Sequence, residues 1–319
     1  MRKRSKILVT GAAGFIGAHL VRRLLEDGYA VRAVDDLSTG KLDRLAGLLD
    51  RIEFREASIC DPEVCAWAVE GVDGVLHEAA LPSVARSLED PLSADRVNVG
   101  GTVTLLEACR RGGVRRLVLA GSSSVYGDSA VLPKVETMPP APLSPYAAGK
   151  LAAEYYCSVF ACLGFVETVS LRYFNVFGPM QDPASEYAAV IPRFITALLE
   201  GRPICVYGDG QQSRDFTYIE NVVEANLLAL TSPRANGEAI NIGCGERTTL
   251  LQLIEELQQI TGRRAVVTHG PPRPGDVPHS LADISKARDL LGYVPRVGLR
   301  EGLERTVAWF SSSREAAVI

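Results

Sequence analysis

The stretch Ile7-Leu8-Val9-Thr10-Gly11-Ala12-Ala13-Gly14-Phe15-Ile16-Gly17 decides how this chain folds. A short apolar, mostly β-branched run enters a glycine turn, and a helical pattern starts at Phe15. Gly11 suits the tight turn, Gly14 lets a pyrophosphate reach the helix N-terminus, and Gly17 lets helix and strand pack closely. A second strand, Ala30 to Asp35, ends in an acid about 20 residues further on. A carboxylate there accepts from both hydroxyls of a ribose and repels a 2′-phosphate, so the expected cofactor is NAD rather than NADP.

Outward from that unit, Ile52 to Arg55, Gly74 to His77 and Leu117 to Gly121 read as further strands, with amphipathic segments of helical length between them. Alternation of this kind requires parallel strands and right-handed crossovers, hence an α/β, Rossmann-like doubly wound sheet. Pro145 opens a helix over Tyr146 to Leu163, which Gly164 ends, and Val166 to Tyr173 is another strand. Beyond Phe177-Gly178-Pro179 the pattern loosens into a helix at Ile191 to Leu199 and a strand at Ile204 to Tyr207. Asn221 to Leu230 and Ala239 to Ile242 regain regularity, and three helical segments follow at Leu250 to Ile260, Ile284 to Leu291 and Leu299 to Phe310. The expected division is a cofactor domain over 1–177, rejoined by 217–243. A smaller, interleaved C-terminal α/β substrate domain takes 178–216 and 244–311, and 312–319 is a tail.

Among 319 residues, 34 Lys plus Arg against 38 Asp plus Glu leave a net charge of −4, with no basic field for a phosphate backbone. Nucleic acid is excluded as a bulk partner. Seven cysteines without a C-x-x-C pair and four histidines without H-E-x-x-H give no metal site, and the odd thiol count suits a reducing, cytoplasmic setting. Arg2, Lys3 and Arg4 before the apolar Ile7 to Leu20 imitate an export signal. The glycines inside that run argue against one, and no stretch reaches the roughly 18 apolar residues of a membrane span.

Tyr146-Ala147-Ala148-Gly149-Lys150 sets a phenol and an ammonium on one helix face. A tyrosine acting as a base at neutral pH must fall by about 3 pH units, or roughly 4 kcal/mol, and Lys150 with a positive nicotinamide ring can supply it. Ser122 stands at the carboxyl end of the preceding strand, where ligands of open parallel sheets bind. Together, T-G-x-x-G-x-x-G at Thr10 to Gly17, S-x-x-V-Y-G at Ser122 to Gly127, Y-x-x-x-K at Tyr146 to Lys150 and R-Y-F-N-x-x-G-P at Arg172 to Pro179 make the chain resemble the extended short-chain dehydrogenase/reductases. The resemblance is to their nucleotide-sugar epimerase and dehydratase group and covers nearly the whole length. It implies a catalytic Ser122, Tyr146 and Lys150, and a cofactor lined by Phe15, Ile16, Asp36, Ser38, Gly40, Ile59, Ala79, Ala80, Asn98 and Tyr173 besides the glycines and Asp35. It also implies a homodimer. Where the group carries G-D-[IL] after the third strand, this chain has Ala57-Ser58-Ile59, and Ser58 replaces only part of the adenine contact.

Related 4,6-dehydratases carry an Asp-Glu pair where this chain has Ser123 and Ser124, hydroxyls unsuited to elimination. A C4 ketone then only regains its hydride, which makes a 4-epimerase. The resemblance places the substrate against Ser83, Ser123, Ser124, Asn175, Val206, Tyr207, Arg214, Arg273, Asp276 and Ser280. The arginines suit a diphosphate. A small Ser280, and Pro82 to Ser87 with its resemblance to bacterial UDP-N-acetylglucosamine 4-epimerases, point to UDP-GlcNAc and UDP-GalNAc, with UDP-Glc and UDP-Gal also admitted. A dehydratase, a UDP-uronate epimerase using Arg86, and an NAD-sensing binding protein stay open as alternatives.

Overall fold

The computed structural model describes residues 5–183, 189–271 and 277–318. Its strands are β1 (Lys6–Thr10), β2 (Ala30–Asp35), β3 (Glu53–Glu56), β4 (Gly74–His77), β5 (Arg116–Ser122), β6 (Glu167–Tyr173) and β7 (Val176–Phe177). They continue as β8 (Ile204–Tyr207), β9 (Ser213–Arg214), β10 (Thr217–Tyr218), β11 (Glu238–Ile242), β12 (Thr248–Thr249) and β13 (Val267–Gly270). One seven-stranded sheet runs β11-β6-β5-β4-β1-β2-β3, parallel throughout. Strand order reverses between β1 and β4, and the crevice beyond their carboxyl ends is where such sheets bind ligands.

Both faces of the sheet are covered, and the strand residues alternate between two cores. Ile7, Val9, Leu76 and Val118 pack on one side, whereas Leu8, Val75, Leu117 and Leu119 pack on the other. His77 joins the strands to the helix behind them. Its buried ring lies between the hydroxyls of Thr10 (2.7 Å) and Thr102 (3.0 Å), and burial pulls its pKa down to about 3, so it is neutral.

Pro145–Cys162 is the helix that carries Tyr146. Ser144 caps it, its hydroxyl accepting from the Ala147 N–H, and Pro145 occupies the first turn. Residues 146, 150 and 154 form one stripe on this helix. Glu154 receives two hydrogen bonds from Arg172 of β6, at 2.6 and 2.9 Å. Arg172 also donates to the Tyr126 hydroxyl at 2.7 Å, and Tyr126 donates to Asn241 of β11 at 2.7 Å. The arginine of the R-Y-F-N motif, itself on β6, therefore fastens the Tyr146 helix to that strand and, through Tyr126 in the turn after β5, to β11.

Two-residue strands (β7 with β10, β9 with β12) and the β8–β13 pair build the smaller half. Runs of two to four residues are too short to show a period, so β7, β9, β10, β12 and β13 are absent from the sequence reading. The last helix runs Leu299–Val318. Residues 312–318, expected as a tail, continue it, since Ser311 to Ala317 hold no breaker.

Candidate active site

A cleft of about 760 Å³ lies along the carboxyl ends of the sheet. One end of it is shaped by glycine. Gly11 has φ +66°, and a Cβ there would sit 2.6 Å from the Ala79 nitrogen; one on Gly17 would sit 2.1 Å from the Gly11 carbonyl oxygen. The first helix, Phe15–Glu26, starts after Gly14 with no side chain capping it. Its N–H groups thus face the cleft for an anion to take. Gly14, Phe15, Ile16 and Gly17 all line the wall.

Asp35 ends β2 on the same wall. Its carboxylate accepts from the Ala13 N–H (2.9 Å) and the Leu37 N–H (2.8 Å), and burial raises its pKa. Each oxygen keeps a further lone pair for a ribose hydroxyl. Gly40 is required here because a Cβ would come within 2.5 Å of an Asp35 oxygen. Asp36 and Ser38 line the cleft but bond each other, the Ser38 hydroxyl donating to Asp36 at 2.6 Å. These donors and cavities fit a dinucleotide.

Further along the cleft Ser122 of β5 pairs in register with Tyr173 of β6, and both line it with Tyr146, Ala79, Ala80 and Ser83. The Ser122 and Ser124 hydroxyls are 2.8 Å apart, which orients Ser122 from behind. Lys150 is buried, and its ammonium donates to the Ala120 carbonyl at 2.8 Å. In the protein alone burial raises the Tyr146 pKa, and a hydrogen bond with Ser122 pulls it back. The Lys150 ammonium, held at the Ala120 carbonyl, keeps its charge and also sits near a carboxylate; the drop expected of Lys150 and a nicotinamide ring together concerns the NAD-bound protein.

That carboxylate is Glu78, which the sequence reading passed over. It follows β4 directly, lines the cleft, and accepts from the Tyr173 hydroxyl at 2.9 Å. Burial pushes its pKa up; burial pulls Lys150 down while Glu78 holds it up. The available signal was a charged residue set directly after a fully buried strand on the ligand-binding edge.

Several carried-over assignments change. Asn98, expected near the nicotinamide, is buried off the cleft wall: its amide accepts from the Leu81 N–H (2.8 Å) and donates to the Leu81 carbonyl (3.3 Å), clamping the loop after β4. Ser58 turns back to accept from the Cys60 N–H at 3.3 Å, and its neighbours Ala57 and Ile59 form the wall instead. Ser83 lines the cleft while its hydroxyl accepts from the Arg86 N–H at 3.1 Å as a helix cap. Ser123 starts a short helical turn, and Ser124 serves Ser122. Neither stands on the wall. Val206 is buried in the core beside Ile204.

A second cavity of about 250 Å³ adjoins the cleft, lined by Asn175, Tyr207, Arg214 and Phe216 among others. Asn175 joins the two spaces, and its amide donates to the Ser280 hydroxyl and to the Asp215 carbonyl, both at 3.0 Å. The Asp215 carboxylate accepts from the N–H groups of Cys244, Gly245 and Ala282 at 2.8 to 3.1 Å and fixes the floor; burial pushes its pKa up to about 6. Arg273 and Asp276 lie outside the described residues.

The family model for NAD dependent epimerases and dehydratases matches residues 7–243. The chain belongs to the NAD-dependent epimerase/dehydratase family. Over 314 residues this epimerase is 41% identical to the UDP-glucose 4-epimerase of Mycolicibacterium smegmatis, covering 97% of this chain and all of that one. A solved UDP-glucose 4-epimerase from Thermotoga maritima, in complex with UDP-glucose, is 40% identical, with a TM-score of 0.92 over 97% of this chain and 99% of that one. A UDP-N-acetylglucosamine 4-epimerase from Methanobrevibacter ruminantium, in complex with UDP-N-acetylmuramic acid, is 37% identical, with a TM-score of 0.93 over 98% and 99%. The epimerase is an NAD-dependent isomerase, and among its described residues no helix is long and apolar enough to cross a membrane.

Proposed function

We propose that this epimerase inverts C4 of UDP-GlcNAc and UDP-GalNAc, and of UDP-Glc and UDP-Gal, through a transient 4-keto sugar. The observation that carries the reaction is a single wall holding Ser122 and Tyr146, continuous with the glycine cradle, whose Ser122 to Ser124 turn offers hydroxyls and no carboxylate. Gly11, Gly14, Gly17 and Asp35 would hold NAD, which when bound supplies a reversible two-electron acceptor. Tyr146 accepts the proton of the 4-hydroxyl and later returns it, while Ser122 holds the same oxygen by a hydrogen bond. With hydroxyls at Ser123 and Ser124, where the related dehydratases carry their Asp-Glu pair, the ketone regains its hydride, and return to the opposite face inverts C4.

Tyr207, Arg214 and the adjoining cavity take the nucleotide diphosphate, with Arg273 and Asp276 assigned there from the sequence alone. The acetamido reading is supported by small Ser280 at Asn175 and by Ser83 on the wall. A uronate reading has one observation in its favour, the Arg86 side chain on the same wall. We divide the chain into a cofactor half, 1–177 with 217–243, and a sugar-nucleotide half, 178–216 with 244–311. A homodimer would use the exposed Tyr155, Tyr156 and Val159 of the Tyr146 helix and Leu163 directly after it. Incubation with UDP-GlcNAc, UDP-Glc and UDP-glucuronate, read by NMR, tests the assignment: UDP-GalNAc formation supports it, and conversion of the uronate alone overturns it.

A further inference from the structure

We propose that Glu78 is a positioning residue of the reaction chamber: its carboxylate anchors Tyr173 at the cofactor end of the cleft and sets the balance of charge between Lys150 and Tyr146. This rests on Tyr146 being the proton acceptor.

The geometry starts from the sheet. Glu78 leaves the end of β4 and Tyr173 ends β6, so their contact passes over the end of β5, where Ser122 stands. Tyr173 is fixed from two sides. Its hydroxyl donates to Glu78 at 2.9 Å and accepts from the Asn226 amide at 2.8 Å, and that amide is itself anchored to the Val222 carbonyl at 2.9 Å. Removing the acceptor leaves the phenol held from one side only.

The same carboxylate closes the charge balance of a buried space. His77 pairs in register with Leu119 of β5, so Glu78 comes beside Ala120, whose carbonyl holds the Lys150 ammonium; Glu78 also shares the cleft wall with Tyr146 and bonds Tyr173 of β6, with neutral His77 beside it in the chain. An ionised Glu78 offsets the Lys150 ammonium and repels a phenolate at Tyr146. A neutral side chain at 78 leaves the ammonium unopposed, and the phenolate forms more readily. The sign is thus fixed: negative charge at 78 moves Tyr146 ionisation to higher pH. Epimerisation needs a phenol that returns its proton as readily as it takes it, and an overall neutral chamber holds Tyr146 to that double duty.

The test is an ultraviolet difference titration of the Tyr146 phenolate in the NAD-loaded protein, with Tyr146→Phe as blank. Glu78→Gln, close to isosteric and still an acceptor for Tyr173, should lower the midpoint by about one pH unit. An unmoved or raised midpoint overturns the electrostatic role. Glu78→Met, neutral and of similar length, should give the same fall if Glu78→Gln does not accumulate. It should also weaken NAD binding several-fold because Tyr173 loses its acceptor. Wild-type NAD affinity in Glu78→Met overturns the anchoring role. Neither measurement needs a sugar, so failure here is distinguishable from failure of the epimerase assignment, which the product assay reads.

Discussion

Replacing Glu154 by Gln should destabilise the protein by about 3–5 kcal/mol, the cost of leaving a buried charge without its partner. The magnitude follows from burial. The Arg172 and Glu154 side chains are 5% and 7% exposed, so the ~0–1 kcal/mol of a solvated surface pair does not apply. Glutamine keeps one carbonyl acceptor for the guanidinium but loses the charge and the second of two short bonds. Tyr126 cannot compensate, because its proton is already given to Asn241. Urea unfolding of the NAD-free protein measures this; with a slope of about 3 kcal/mol per M, the midpoint should fall by about 1–1.7 M. Adding Arg172→Met should recover much of the loss, since the stranded cation is then gone. A cost below about 1 kcal/mol would refute the reasoning and class the pair with surface ion pairs.

Tyr146→Phe should keep NAD binding and lower turnover by about 10²- to 10⁴-fold, and Ser122→Ala should cost about 3 kcal/mol in kcat/KM; near-native rates would remove either residue from the mechanism. Deuterium at C4 of the sugar should stay at C4 in the product, whereas washout or a 4-keto-6-deoxy product, seen by NMR, would replace epimerisation by elimination. Ser280→Tyr should crowd the space beside Asn175 and lower kcat/KM for UDP-GlcNAc relative to UDP-Glc by about 5- to 150-fold, the equivalent of ~1–3 kcal/mol of overpacking. An unchanged ratio would acquit Ser280 as the gate.

What could be read from the sequence has a common character. Gly11, Gly17 and Asp35 act through local backbone geometry, and a spacing records that. The strand ends at Asp35, His77 and Tyr207 also coincide with their sequence limits, because buried parallel strands are apolar runs closed by a change of residue type. Glu78 and Glu154 escaped notice because their roles depend on what faces them across the sheet. Asn98 and Ser58 were assigned by resemblance, and the loop after β4 and the turn after β3 each claim the side chain for local hydrogen bonds. Lys150 shows the limit most clearly. Its position one turn beyond Tyr146 is evident from spacing, but its engagement with the Ala120 carbonyl is a fact of the packed helix and sheet.

Asn175, Val176 and Ala189 are the described residues found on the walls of both the cleft and the smaller cavity. The two chambers therefore meet along a narrow seam. Side chains on the far side, such as Tyr207 and Phe216, can be exchanged without moving Ser122 or Tyr146, and Asp35 or Glu78 can change without reshaping the cavity beyond. A lineage built on this plan can try new sugar nucleotides while its proton and hydride chemistry stays fixed, and Asn175, on the seam between the chambers, carries a change on either side through its amide to Ser280.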